Sequence, residues 1–212
     1  MNKFKIKICG INEIKIIDCC INNGVEYCGL IFYKKSPRFV NLELAVKIIN
    51  YVNNKKIIPV GIFVNKPLNK IKKIIEKTCL RHIQLHGKED NNYIYQLKKE
   101  FNLKIIKSKG INNKDDLKKM ENLQLSDYFL FDYKPEINEL PGGNAKKFDW
   151  SLIQNIKINK PWFISGGINL SNVEEISKKL IPYGIDISSG VEEKPGIKSS
   201  HKINALLEIL NA

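Results

Sequence analysis

The feature that most constrains this chain is a strand-then-helix rhythm repeated eight times. Short apolar runs predict strands at Phe4–Ile8, Cys28–Phe32, Ile57–Phe63, Arg81–Leu85, Leu103–Lys107, Tyr128–Asp132, Trp162–Ser165 and Tyr183–Ser188. Between them, helical spacing predicts helices over Asn12–Asn22 and Asn41–Asn53, then from Pro67 onward, then over Asp90–Phe101 and Asn113–Asn122. A short helix is expected near Asp149, followed by Ser171–Leu180 and His201–Leu210. In the third helix, Leu68, Ile71, Ile74 and Ile75 share one face behind Pro67, a residue suited to a first helical turn.

Such alternation implies parallel strands joined by right-handed crossovers. Eight units close into an α/β fold of the (β/α)8 TIM-barrel kind, expected as one domain over residues 1–212. An open sheet with an appended helical region is the alternative. The units are uneven in length, which argues against a solenoid.

The chain carries a net charge of +13. Its lysines fall on presumed outer helix faces, as in Lys70 to Lys77 and Lys98-Lys99, without interleaved aromatics. That is the pattern A+T-rich codons would dictate, and no nucleic-acid partner is expected. The positive field would favour a phosphorylated small-molecule substrate. No apolar run approaches the ~20 residues needed to span a bilayer, so no membrane partner is expected. The first residues are broken by lysines and lack the apolar stretch of a signal peptide. Five cysteines without framework spacing fit a reducing, cytoplasmic setting. A monomer or homodimer is expected. Cys79, His82 and His86 have superficial metal spacing, but no second Cys pair supports zinc, and no metal is expected.

In a barrel of this kind the site lies at the C-terminal ends of the strands. The polar residues there are Cys9, Arg38, Asn65, His86, Asp132, Gly166-Gly167 and Ser188-Ser189-Gly190. Gly166-Gly167 lets backbone amides approach an anion, and Ser188, Ser189 and Gly190 add hydroxyls and amides one unit later. These residues, with Asp186, form the expected phosphate site. Strand alternation puts Lys7 on the face of Cys9, roughly 6–7 Å away, where its charge would favour the thiolate. Strand eight adjoins strand one in a closed barrel, so Lys7 and Asp186 should lie close together inside it.

Taken in order, these motifs resemble the phosphoribosylanthranilate isomerase family. The resemblance is carried by Lys7-Ile-Cys-Gly-Ile11, Gly29-Leu-Ile-Phe-Tyr-Lys-Lys-Ser-Pro-Arg-Phe-Val40, Val60-Gly-Ile-Phe-Val-Asn65 and Gln84-Leu-His-Gly87. It continues through Pro141-Gly-Gly143, Phe148-Asp-Trp150, Ser165-Gly-Gly-Ile168 and Tyr183-Gly-Ile-Asp-Ile-Ser-Ser-Gly-Val-Glu192. It implies the barrel, no cofactor, and an Amadori rearrangement of N-(5-phosphoribosyl)anthranilate in tryptophan biosynthesis.

By the same resemblance Asp132 is the general acid and Cys9 the general base, and Arg38 grips the substrate's aromatic carboxylate through two parallel hydrogen bonds. A carboxyl acting as an acid near neutral pH needs a raised pKa, which an apolar barrel mouth can supply. His86 and Lys7 are expected to line the substrate site. The chain departs from the family pattern at Asn144-Ala145, where a Gly is usual, and at Asn12, where Thr is usual. Losing the Gly is costly if the backbone there needs positive φ. Another phosphosugar isomerase or epimerase barrel, or a basic binding protein that has lost turnover, remains the alternative at this point.

Overall fold

A computed structural model describes residues 4–118, 123–154 and 156–211. Eight parallel strands close into a barrel in sequence order: β1 (Lys5–Cys9), β2 (Tyr27–Ile31), β3 (Ile58–Phe63), β4 (His82–Leu85), β5 (Lys104–Ile111), β6 (Tyr128–Tyr133), β7 (Trp162–Ile164) and β8 (Gly184–Ile187). Closure is made by β1 on β8, in a register that sets Lys7 opposite Asp186. The open-sheet alternative is thereby excluded.

The helices fill the crossovers: α1 (Ile14–Asn22), α2 (Leu42–Val52), α3 (Leu68–Thr78), α4 (Asn91–Glu100), α5 (Asp115–Lys118), α6 (Ser151–Gln154), α7 (Val173–Lys179) and α8 (Ser200–Asn211). Side-chain caps start several of them. Asn41 accepts from the Leu44 amide at 2.8 Å and Asp90 from the Tyr93 amide at 2.8 Å, each satisfying an otherwise orphaned donor. The last four residues of the helix expected over Asn113–Asn122 lie outside the described residues. None of the described helices is long and apolar enough to cross a membrane.

Two elements differ from expectation. Strand β5 runs on to Ile111, through polar Ser108 and Lys109, because β6 pairs with it as far as Tyr133. A hairpin of β9 (Glu192–Lys194) and β10 (Ile197–Lys198) follows β8, turning at Pro195-Gly196.

Alternation along each strand sorts the side chains. Outward-facing apolar residues pack beneath the helices in the main core. The inward set is layered. At the lower end Tyr27, Val60, Ile106, Leu130 and Phe163 fill the barrel. The Phe163 ring lies 5.4–6.0 Å from the rings of Tyr183, Tyr27 and Tyr128. Above this aromatic plug, the same strands present Lys7, Gln84 and Asp186, and then Cys9, His86, Asp132, Ser165 and Ser188 at the upper rim. Packing thus closes one end, and polar chemistry collects at the other.

Candidate active site

Two adjoining clefts open at the upper rim. The larger, about 530 Å3, is lined by Cys9, Arg38, Gln84, His86, Asp132 and the loop residues Leu140–Gly143, among others. The smaller, about 330 Å3, is lined by Gly142–Lys146, Ser165–Ile168, Ser188 and Ser189. Asp132 and Asp186 border both.

Cys9 ends β1 and faces the larger cleft. Gly10 follows it at φ +81, and a Cβ there would come within 2.5 Å of the Arg38 Cδ. Glycine therefore allows the Arg38 stem to lie directly against the turn that holds the thiol. Burial pushes the Cys9 thiol above its ordinary value, and Asp186 adds to this, while Lys7, Lys198 and Arg38 oppose it. The sequence led us to expect a net pull toward thiolate from Lys7. In the resting enzyme desolvation outweighs that pull.

Lys7 meets Asp186 as its register dictates, Nζ to Oδ1 at 2.9 Å. Desolvation works against charge on Lys7, but Asp186 and Cys9 more than offset it and raise its pKa. Lys7 is fully enclosed and lines neither cleft. The sequence placed it among the substrate-lining residues; the structure sets it beneath them, against Asp186. Asp186 borders the smaller cleft with the glycines and serines expected beside it, while its Oδ1 is engaged by Lys7.

Asp132 sits at the upper end of β6. Its Oδ1 accepts from the Tyr133 amide at 2.8 Å, and its Oδ2 lies 3.4 Å from His86 Nε2. Gln84 Nε2 lies 2.7 Å from His86 Nδ1. With Gln84 Nε2 donating to Nδ1, the ring proton sits on Nε2 and points at Asp132. Gln84 Oε1 is then buried without a partner among the described residues. Exchanging the amide oxygen and nitrogen gives Oε1 the Nδ1 proton and frees the Nε2 lone pair to accept from a protonated Asp132.

Arg38 is 4% exposed, held by a side chain that the sequence reading missed. Glu192 takes its Nε and Nη2 at 2.7 Å each. Glu192 therefore occupies the side-on edge, and the end-on edge remains. That edge faces the loop after β6, with Nη2 3.5 Å from the Gly143 carbonyl. Lys198 Nζ also reaches Glu192 Oε1 at 2.7 Å. Burial works against the Glu192 charge, but Arg38 and Lys198 hold its carboxyl below the usual range. The signal in sequence was the Val191-Glu192 end of the last motif, followed by a Pro195-Gly196 turn that returns Lys198 opposite Glu192.

The smaller cleft is built from loops seven and eight. Gly166 and Gly167 take φ +90 and +64, a conformation that favours glycine. Ser189 lines the cleft, and Ser188 Oγ donates to the Cys9 carbonyl at 3.0 Å, tying loop eight to β1. Gly190 sits behind, bridged to Asn169, with no room for a Cβ against the Ile168 carbonyl. Lys146, which the sequence did not single out, also lines the cleft, with its ammonium paired to Glu139.

Other candidates fall outside the site. Asn65 joins loops three and four, with its amide donating to Glu89 and its side chain accepting from Lys88. Cys79 caps α3 at the surface and His82 packs on Tyr27 at the closed end, away from His86 at the rim.

Residues 6–209 match the family described as PRAI, N-(5'phosphoribosyl)anthranilate (PRA) isomerase. The chain is 36% identical over 205 residues to N-(5'-phosphoribosyl)anthranilate isomerase of Rhizobium rhizogenes, covering 96% of this chain and 92% of that one. Its fold is similar to the crystal structure of phosphoribosyl anthranilate isomerase from Thermotoga maritima, with a TM-score of 0.88, 30% identity and 98% of each chain covered. A crystal structure of phosphoribosyl anthranilate isomerase in complex with reduced 1-(o-carboxyphenylamino)-1-deoxyribulose 5-phosphate gives a TM-score of 0.83 at 28% identity, again over 98% of each chain.

Proposed function

The chain belongs to the N-(5'-phosphoribosyl)anthranilate isomerase family, and we propose from that premise how its rim residues divide the reaction. The enzyme catalyses the Amadori rearrangement of N-(5'-phosphoribosyl)anthranilate to 1-(2-carboxyphenylamino)-1-deoxyribulose 5-phosphate, an aldose-to-ketose step of tryptophan biosynthesis.

The substrate phosphate takes the smaller cleft, on the amides of Gly166 and Gly167 and the Ser188–Gly190 turn, with Lys146 at its edge. The aromatic ring then extends into the larger cleft, toward the end-on edge of Arg38. The ribose lies between, within reach of Cys9 and Asp132. Asp132 gives its proton to the ring oxygen as the C1–O bond breaks, and the nitrogen lone pair forms the C1 iminium. Cys9, as thiolate, takes the C2 proton. The resulting enolamine tautomerises to the ketone by gaining a proton at C1 and losing one from the C2 hydroxyl. His86 shares the Asp132 proton through Nε2.

The observation that carries this reading is that Cys9, Asp132, His86 and Arg38 line one cleft whose floor continues into the Gly166-Gly167 cleft. Turnover of N-(5'-phosphoribosyl)anthranilate by the wild type, with losses of about 10^2–10^4 in kcat for folded Cys9→Ala and Asp132→Asn, is the expected result. Retained turnover in either variant would remove that residue from its role.

A further inference from the structure

Arg38, Glu192 and Lys198 form a buried cluster of three charges. Their side chains are 5%, 4% and 0% exposed. Glu192 lies in the middle, taking two bonds from Arg38 and one from Lys198, each at 2.7 Å. With the neighbouring Cys9 thiol protonated, as burial favours in the resting enzyme, two cations and one anion leave an excess of +1 in a place that water scarcely reaches. An uncompensated buried charge is costly, so a cluster like this favours an arriving anion.

The charge excess depends on Lys198. If Arg38 and Glu192 were alone, they would cancel, and an incoming carboxylate would meet a neutral pair with Glu192 repelling it. Lys198 is fixed independently of Arg38. Its Nζ donates to the Ser188 carbonyl at 3.0 Å, and the hairpin register sets it opposite Glu192. Glu192 is fixed in turn by Lys202, which donates to its carbonyl at 2.6 Å. The side-on edge of Arg38 is locked by Glu192, leaving the end-on edge toward the larger cleft.

We infer that Lys198 is a specificity-determining positioning residue: by neutralising Glu192 it leaves the charge and end-on edge of Arg38 to the carboxylate on the substrate's aromatic ring. This rests on the role assigned to Arg38 above.

The test compares two inhibitors on the intact enzyme. One is reduced 1-(o-carboxyphenylamino)-1-deoxyribulose 5-phosphate, and the other is the same compound without the carboxyl group. Lys198→Met should weaken the carboxylated inhibitor by about 10- to 100-fold, the range of a charged hydrogen bond, and leave the other within about threefold. Adding Glu192→Gln to Lys198→Met restores the excess of +1, so the double variant should regain most of the lost affinity. Equal weakening of both inhibitors, or no recovery in the double variant, would overturn the inference. Lys198→Gln replaces Lys198→Met if the latter does not fold. Arg38→Lys separates the two levels. If it weakens both inhibitors equally, the carboxylate role of Arg38 fails. If it is selective while the Lys198 variants are not, only the inference about Lys198 fails.

Discussion

Lys7 and Asp186 face each other across the seam that closes the barrel, with Nζ 2.9 Å from Oδ1 and side-chain exposures of 0% and 4%. Cutting one partner leaves the other buried and unpaired. Lys7→Met should therefore lower the unfolding free energy by about 3–5 kcal/mol, and Lys7→Met with Asp186→Leu should recover most of it. Urea denaturation of the two single variants and the double variant checks this. Additive losses would mean the pair is not coupled.

The same lysine governs the pH dependence of the reaction. With Cys9 pushed up by burial, kcat/KM should rise with pH along a base limb whose midpoint lies above the ordinary thiol value of about 8.5. Lys7 is the strongest of the cations opposing that shift, so Lys7→Met should move the midpoint further up, and Lys7→Arg should largely restore it. A midpoint that ignores Lys7 in the pH–rate profile would detach this lysine from the thiol.

Ala145 takes φ +55, in the left-handed region where a side chain is strained. The condition set by the sequence comparison, a backbone position suited to glycine, is met there. Ala145→Gly removes strain of about 1–2 kcal/mol while adding unfolded-state freedom of roughly half that, for a net gain of about 0.5–1 kcal/mol. Thermal denaturation reads the effect as a higher Tm.

Gln84 acts on Asp132 only through His86. Gln84→Leu should leave the barrel folded and lower kcat by about tenfold, a part of what general acid catalysis supplies. His86→Gln in the same background should add little further loss. If the two effects multiplied instead, they would not belong to one relay.

Acid should loosen the enzyme at Asp127. Burial works against its charge, but Lys98 at 2.7 Å, the Ile105 amide at 2.8 Å and Lys104 outweigh this and lower its pKa. A depressed folded pKa contributes stability that is complete above the unfolded value, near 3.9, and lost as pH falls through the folded one. Asp127→Asn should cost about 1 kcal/mol at neutral pH and flatten the pH dependence of stability below about 4. Denaturation midpoints across that window provide the comparison.

Much of this architecture was legible in the chain. All eight strands fall where the apolar runs place them, to within a residue or two except at the far end of β5. The Lys7–Asp186 contact followed from alternation plus closure, because both are fixed by strand geometry. The Arg38–Glu192–Lys198 cluster was not legible. Its members lie 154 and 6 residues apart, on a loop and a hairpin, and no periodic rule sets where loop side chains point. The balance at Cys9 was misjudged for a related reason. A neighbouring charge can be read from spacing, whereas desolvation depends on the whole surrounding wall.

The aromatic plug of Phe163, Tyr27, Tyr128 and Tyr183 makes the barrel a blind alley. Whatever enters at the rim must back out through the same doorway, past the loop whose Gly142 and Gly143 line both clefts. Arrival and departure then share one passage and must take turns, so product lingering in the mouth competes with the next substrate for the same amides. Traffic at that doorway, rather than proton transfer alone, becomes a step on which turnover can wait.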